Sequence, residues 1–184
     1  MPINVFVDAA IGTTTTGAGI RIDLGSISSN TLKPLDFSFP LGKIDSPNEA
    51  EIIVINRASD IFMSLIHLIN ANCRLENEYV VLKCDSAAAI KALELCEKIK
   101  PQQLRMLVKK TRKAWDDVRI DRESGPGFIA GWSIQKISRK DNPAHGLANA
   151  AIRQLEGLYK WTPNATNSGT SSSKASRLAR RQPR

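Results

Sequence analysis

The sequence predicts an α/β fold: a mixed five-stranded sheet, three antiparallel strands followed by strands that alternate with helices, flanked by helices. Three observations predict it. The chain opens with three strand-like segments joined by short polar turns. After Ser46-Pro47 the apolar period changes from two to that of a helix. Strand and helix patterns then alternate, giving the order β-β-β-α-β-α-α-β-α.

The first strand spans Asn4 to Asp8 and ends in Asp8-Ala9-Ala10. A Thr/Gly turn, Gly12 to Gly17, leads to a second strand over Ala18–Asp23, and a third follows around Leu32–Phe39. Ser46 and Pro47 supply an N-cap and a first-turn proline for a helix reaching about Asn72. Tyr79–Cys84 reads as a short buried strand, Ser86–Lys98 as a helix, and Pro101 to about Trp115 as another. Turn residues Ser124-Gly125-Pro126-Gly127 precede the last strand, Phe128–Ile137. Asn142-Pro143 caps a final helix ending near Tyr159.

Length and composition suit one domain, residues 1–160, with an appendage. Hydrophobic residues make up 42% of the 184, enough for one packed core. No apolar run reaches the roughly 18 residues of a membrane span, so no membrane partner is expected. The strand-like opening, Ile3 to Val7, lacks the basic flank and small-residue cleavage site of a secretory signal. An intracellular location, cytoplasmic or nuclear, is the expectation. Cys73, Cys84 and Cys96 lie in apolar patterns and read as reduced core residues.

The net charge of +8 is unevenly placed. Residues 160–184 hold six of the 26 basic residues and no acid, leaving the body at only +2. Residues 161–184, rich in Ser, Thr, Asn and Arg, cannot bury enough apolar surface to order themselves and read as a disordered basic tail. Within the body, Lys98, Lys100, Arg105, Lys109, Lys110, Arg112 and Lys113 form a run with no acid among them. Such a run attracts a polyanion by releasing its counterions; a solvated helix face is the plainer alternative.

An open sheet of this kind places its site outside the carboxyl ends of its central strands. Asp8 and Asp85 each follow an apolar run at such an end. A turn or cap aspartate is the competing reading for both. Glu51 is more informative. Helical steps from it reach Ile55, Ala58, Phe62, Leu65 and Ile69, an apolar stripe without Lys or Arg, whereas steps from Glu49 reach Ile53, Asn56 and Asp60. Glu51 is therefore expected to face the core and Glu49 water. Three converging acids raise one another's pKa values, and divalent cations relieve that penalty. Magnesium, which takes oxygen ligands and works with substrate phosphates, suits such a set. Two ions would activate water and steady the leaving oxygen in phosphodiester cleavage.

These residues resemble the ribonuclease H family, in particular its plant retroelement and reverse-transcriptase-associated branch. The matching segments are Val5-Phe6-Val7-Asp8-Ala9-Ala10 with Gly17-Ala18-Gly19-Ile20, then Ser46-Pro47-Asn48-Glu49-Ala50-Glu51. Leu82-Lys83-Cys84-Asp85-Ser86 and the stretch from Ser138 to Ala148 follow in family order, covering about residues 3 to 158. The resemblance implies that Asp8, Glu51 and Asp85 are catalytic metal ligands for two Mg²⁺ ions, with Mn²⁺ as a substitute. The fourth family position falls on His145, where many members have aspartate. A neutral imidazole can bind metal or position water but brings no negative charge. Asp141 is the alternative acid. The loop Ser138 to Asn142 lacks the further histidine of some members, and His67 reads as structural.

The resemblance further implies sequence-independent cleavage of the RNA strand of RNA–DNA hybrids, alone or within a larger reverse transcriptase. It places the basic helix where some members grip the hybrid; Trp115 there is expected to pack rather than touch substrate. The alternative is a non-catalytic module that binds hybrid or double-stranded RNA, favoured by His145. A strand-transfer enzyme is disfavoured, because its last acid would stand where His145 is.

Overall fold

The computed structural model describes residues 2–27, 30–31, 33–70, 78–118 and 129–160, without the side chains of 26–27, 30–31, 67–70, 97 and 158–160. Its main sheet holds β1 (Ile3–Ile11), β2 (Thr16–Asp23), β5 (Leu35–Gly42), β6 (Tyr79–Cys84) and β7 (Gly131–Lys136). A separate small hairpin pairs β3 (Ser26–Ile27) with β4 (Asn30–Thr31). The helices are α1 (Pro47–Asn70), α2 (Ala87–Glu94), α3 (Gln102–Val118) and α4 (Ala144–Lys160).

Strand order is β5-β2-β1-β6-β7. The first three strands form the expected antiparallel meander, while β6 and β7 add in parallel beside β1. The predicted mixed five-stranded sheet is the observed one. Its two-residue alternation sorts β1 onto two faces. Ile3, Val5 and Val7 join Ile20 and Ile22 of β2 in the main core, covered by α1, α2 and α3. Ala10 packs on Ala148 and Ile152 of α4, on the opposite face.

Local chemistry explains the helix starts. Ser46 Oγ accepts the Glu49 N–H, and Ser86 Oγ accepts the Ala89 N–H. Ser86, rather than Asp85, is thus the cap of α2. Trp115 is fully buried; its indole N–H donates to the Ile55 carbonyl at 3.1 Å and its ring meets Phe62 and Trp132. The expectation that Trp115 packs is the one the structure bears out.

Several boundaries differ from the sequence reading. β1 continues three residues past Asp8, because the Ala9–Ile11 stretch pairs with Thr16–Ala18. The third strand of the sheet starts at Leu35 and includes Pro40, which an edge strand tolerates because it needs no donor on its outer side. The β3–β4 hairpin lies just before the stretch assigned to that strand. The helix expected over Ser86–Lys98 breaks at Leu95 and ends in a 3-10 turn, Cys96–Lys98. The next helix runs on to Val118, and β7 is shorter than Phe128–Ile137, with Phe128 outside the described residues. Cys84 and Cys96 are buried free thiols; Cys73 and the tail 161–184 lie outside the described residues, as does the His67 side chain.

Candidate active site

Asp8 and Asp85 reach one level because of strand register. The last parallel pair of β1 and β6 is Phe6 with Lys83, and each acid stands two residues beyond its member of that pair. Glu51 arrives from above, in the second turn of α1. It is 7% exposed, whereas Glu49 is exposed. Ile55, Ala58 and Phe62 along the same stripe are fully buried, so the helix-face reading of the sequence holds. The polar face reading holds less well: Asn56 is buried, and its Nδ2 has no hydrogen-bond partner among the described residues.

The three acids act on one another. Burial, then the charges of Asp8 and Asp85, push Glu51 up to about 8, against hydrogen bonds from the Ala9 N–H and the Cys84 thiol. Burial also raises Asp8, with the Asp85 charge adding to it and His145 and Arg139 opposing. No Lys or Arg forms an ion pair with Glu51 or Asp85 among the described residues. A carboxylate oxygen of Glu51, the Cys84 sulfur and a carboxylate oxygen of Asp85 all lie within 4.8 Å of one another. Cys84 is both core residue and lining of the site, with its thiol 3.8 Å from Glu51 Oε2 and burial raising its pKa.

His145 comes to Asp8 from the other face of the sheet. Its Nδ1 is 2.9 Å from Asp8 Oδ2. Two features of the sequence make that approach possible. Gly17 and Gly19 of β2 lie directly under α4: a Cβ on Gly19 would stand 2.1 Å from the Ala144 carbonyl oxygen, and one on Gly17 2.1 Å from that of Ala148. Asn142, buried, donates from Nδ2 to the Val7 carbonyl at 2.9 Å and accepts the Ala144 N–H, fastening the start of α4 to the residue before Asp8.

Asp141 remains outside this group, exposed, and accepts the Ser138 hydroxyl. Lys136, Ser138 and Arg139 line an open cleft with Asp85, placing two cations beside the acids. Sequence reasoning did not single out Lys136, Arg139 or Asn149, which touches His145, and read Asn142 only as the cap of the final helix. Of the basic run, Lys98, Lys100, Lys109, Lys110, Arg112 and Lys113 are exposed and Arg105 half-buried. Lys113 is engaged by Asp117 at 2.9 Å. Lys109, Arg112 and Lys113 share a second cleft with Cys96 and Asp116.

No protein-family model matches the sequence, and no curated protein matches it. Solved structures do. Over 84% of this chain and 99% of the other, ribonuclease H1 from the halophilic archaeon Halobacterium salinarum NRC-1 superposes with a TM-score of 0.61 at 17% identity. The chain has the ribonuclease H fold. The compost-derived, metagenomic LC11 ribonuclease H1, solved in complex with an RNA/DNA hybrid, matches with a TM-score of 0.60 at 20% identity, over 84% of this chain and 99% of that one. The prototype foamy virus protease–reverse transcriptase matches over 81% of this chain and 20% of its own, with a TM-score of 0.50 at 15% identity. Within this ribonuclease H fold, β6 and β7 are the parallel strands and α4 the helix that brings His145 to Asp8.

Proposed function

We propose that this chain is an endonuclease that hydrolyses the RNA strand of RNA–DNA hybrids without regard to sequence, using two Mg²⁺ ions, replaceable by Mn²⁺. The observation that carries the reading is the Glu51 carboxylate, buried beside Asp8 and Asp85 with no ion-paired cation among the described residues. This donor set fits hard divalent ions: three carboxylates offer oxygen ligands, and a cation relieves the repulsion that raises Glu51. Asp8, Glu51 and Asp85 would hold them. Bound ions would supply an activated water and charge stabilisation at the leaving oxygen.

The rest of the site serves positioning. Asn142 and the two β2 glycines hold α4 against β1, so that His145 meets Asp8. Lys136 and Arg139, lining the cleft at Asp85, would hold phosphates of the bound strand. The lysines and arginines at 98, 100, 105, 109, 110, 112 and 113, all exposed but the half-buried Arg105, would contact the hybrid backbone further out, reading shape rather than bases. The hybrid bound in the LC11 structure supports this substrate class; the ribonuclease H1 matches suit a chain that acts alone, and the reverse-transcriptase match suits one that acts within a larger reverse transcriptase.

A labelled hybrid incubated with Mg²⁺ tests the proposal. Cleavage by the wild type, reduced at least about 100-fold in Asp8→Asn and Asp85→Asn, is the expected result. A second reading, a hybrid-binding module without cleavage, draws on His145 standing where an acid would add a fourth charge. Tight binding with no cleavage in either metal would establish it instead.

A further inference from the structure

We infer that the groove between β5, α1 and α3 is a docking site for an extended segment of another protein, apolar with one acidic side chain, added to the free edge of the sheet. The inference does not depend on the nuclease reading, since none of Asp8, Glu51 and Asp85 lines this groove.

The edge itself is the first ground. β5 ends the sheet: it pairs with β2 on one side and, among the described residues, with no strand on the other. Such an edge presents unpaired N–H and C=O groups that an added strand would bond. Pro40 takes one donor from it and leaves the stretch Leu35–Phe39 to pair. Beside this edge the groove is lined by half-buried Phe39, Leu41, Ile44, Ile53, Ile61 and Leu107. Alternate side chains of an added strand face the helix side of the sheet, where this apolar lining would take them.

Asn56 is the second ground. It is 7% exposed, lines the groove from α1, and its Nδ2 has no hydrogen-bond partner among the described residues. A buried amide donor without an acceptor costs stability, and an oxygen entering the groove would relieve it. Charge selects which oxygen. Of the charged groups lining the groove, Arg57 and Asp60 pair with each other at 3.5 Å, whereas Lys110 has no ion pair among the described residues. A donor and a free cation together favour a carboxylate, one oxygen accepting from Asn56 while the charge faces Lys110. Residues 161–184 of this chain contain no acid and cannot supply it. A nucleic-acid strand would meet one free cation in an apolar lining, a poor match to a row of phosphates.

A displayed library of random dodecapeptides, selected on the full-length protein, tests the inference. The expected consensus alternates apolar residues around an Asp or Glu. A synthetic peptide of that consensus should slow hydrogen exchange at those β5 amides that do not bond to β2. It should bind about tenfold more weakly to Asn56→Leu and to Lys110→Glu. Asn56→Leu alone should fold and should unfold at higher urea than the wild type, because it removes the unpartnered amide. No consensus, or peptides that bind Asn56→Leu as tightly or leave β5 exchange unchanged, would overturn the inference. A lower urea midpoint in Asn56→Leu would overturn it too, since the amide would then serve the fold. So would protection of the same amides by a single-stranded oligonucleotide, or by self-association without peptide.

Discussion

At Glu51 a carboxylate is folded into a sheet end already occupied by Asp8 and Asp85, and its proton affinity rises to about 8 from an ordinary 4.5. The folded metal-free chain therefore holds a proton there that the unfolded chain has released, across the window from about 4.5 to about 8. A state that binds more protons is favoured by acid, so stability should fall as pH rises through that window. Urea denaturation of Glu51→Gln should show a flatter pH profile and greater stability at the alkaline end, by on the order of 2–4 kcal/mol. A profile in Glu51→Gln as steep as the wild type's would place the titration elsewhere. The choice of Glu51 over Glu49 was legible in the sequence, because helical periodicity separates their faces. Asn149 was not, and of Asn142 only the cap was, not its bond to β1. A polar residue on an amphipathic helix looks the same whether it meets water or another chain segment, and only the approach of α4 to β1 distinguishes them.

At the scale of elements, the contact between α4 and β2 sets the distance from His145 to Asp8. It depends on hydrogen atoms at Gly17 and Gly19, since any Cβ there meets the helix backbone, which cannot rotate aside. Gly19→Ala should destabilise the chain by at least about 1–3 kcal/mol, and the loss should come with displacement of His145, read by chemical-shift change at its ring. Wild-type stability in Gly19→Ala would mean that α4 sits further from the sheet. The Gly-Ala-Gly segment was visible in the sequence, but its purpose was not: glycine in a strand marks a bulge, a bend or a close approach equally well. The antiparallel meander, the long helix and the capped final helix were legible because short turns, period and cap residues are local signals. The break at Leu95 and the late start at Leu35 were less so, since the ends of elements answer to packing more than to local propensity.

Across the whole molecule, charge is divided between the acid group at the sheet end and cations around it. Lys136 and Arg139 adjoin Asp85, while α3 carries exposed Lys109, Lys110 and Arg112. Lys113 is partly neutralised by Asp117. If α3 contacts the hybrid backbone, replacing Lys109 and Arg112 with Gln should weaken binding equally for unrelated sequences. The slope of log affinity against log salt should become shallower by about 1–2. An unchanged slope would make α3 a solvated face, the plainer reading of its charge run. Among the described residues no helix is long and apolar enough to cross a membrane. The fold as a whole was legible, since the order of strands and helices leaves few ways to cover one sheet on both faces. That the acids converge followed from the sheet topology; how closely His145 would join them did not.

The most direct test of the metal site is a crystal of the protein grown with Mn²⁺ and examined for anomalous scattering. Density for manganese between the carboxylates of Asp8, Glu51 and Asp85, absent in Glu51→Gln crystals or much reduced there, is the predicted result. A wild-type map with no anomalous peak at those side chains, at millimolar Mn²⁺ and neutral pH, would contradict it.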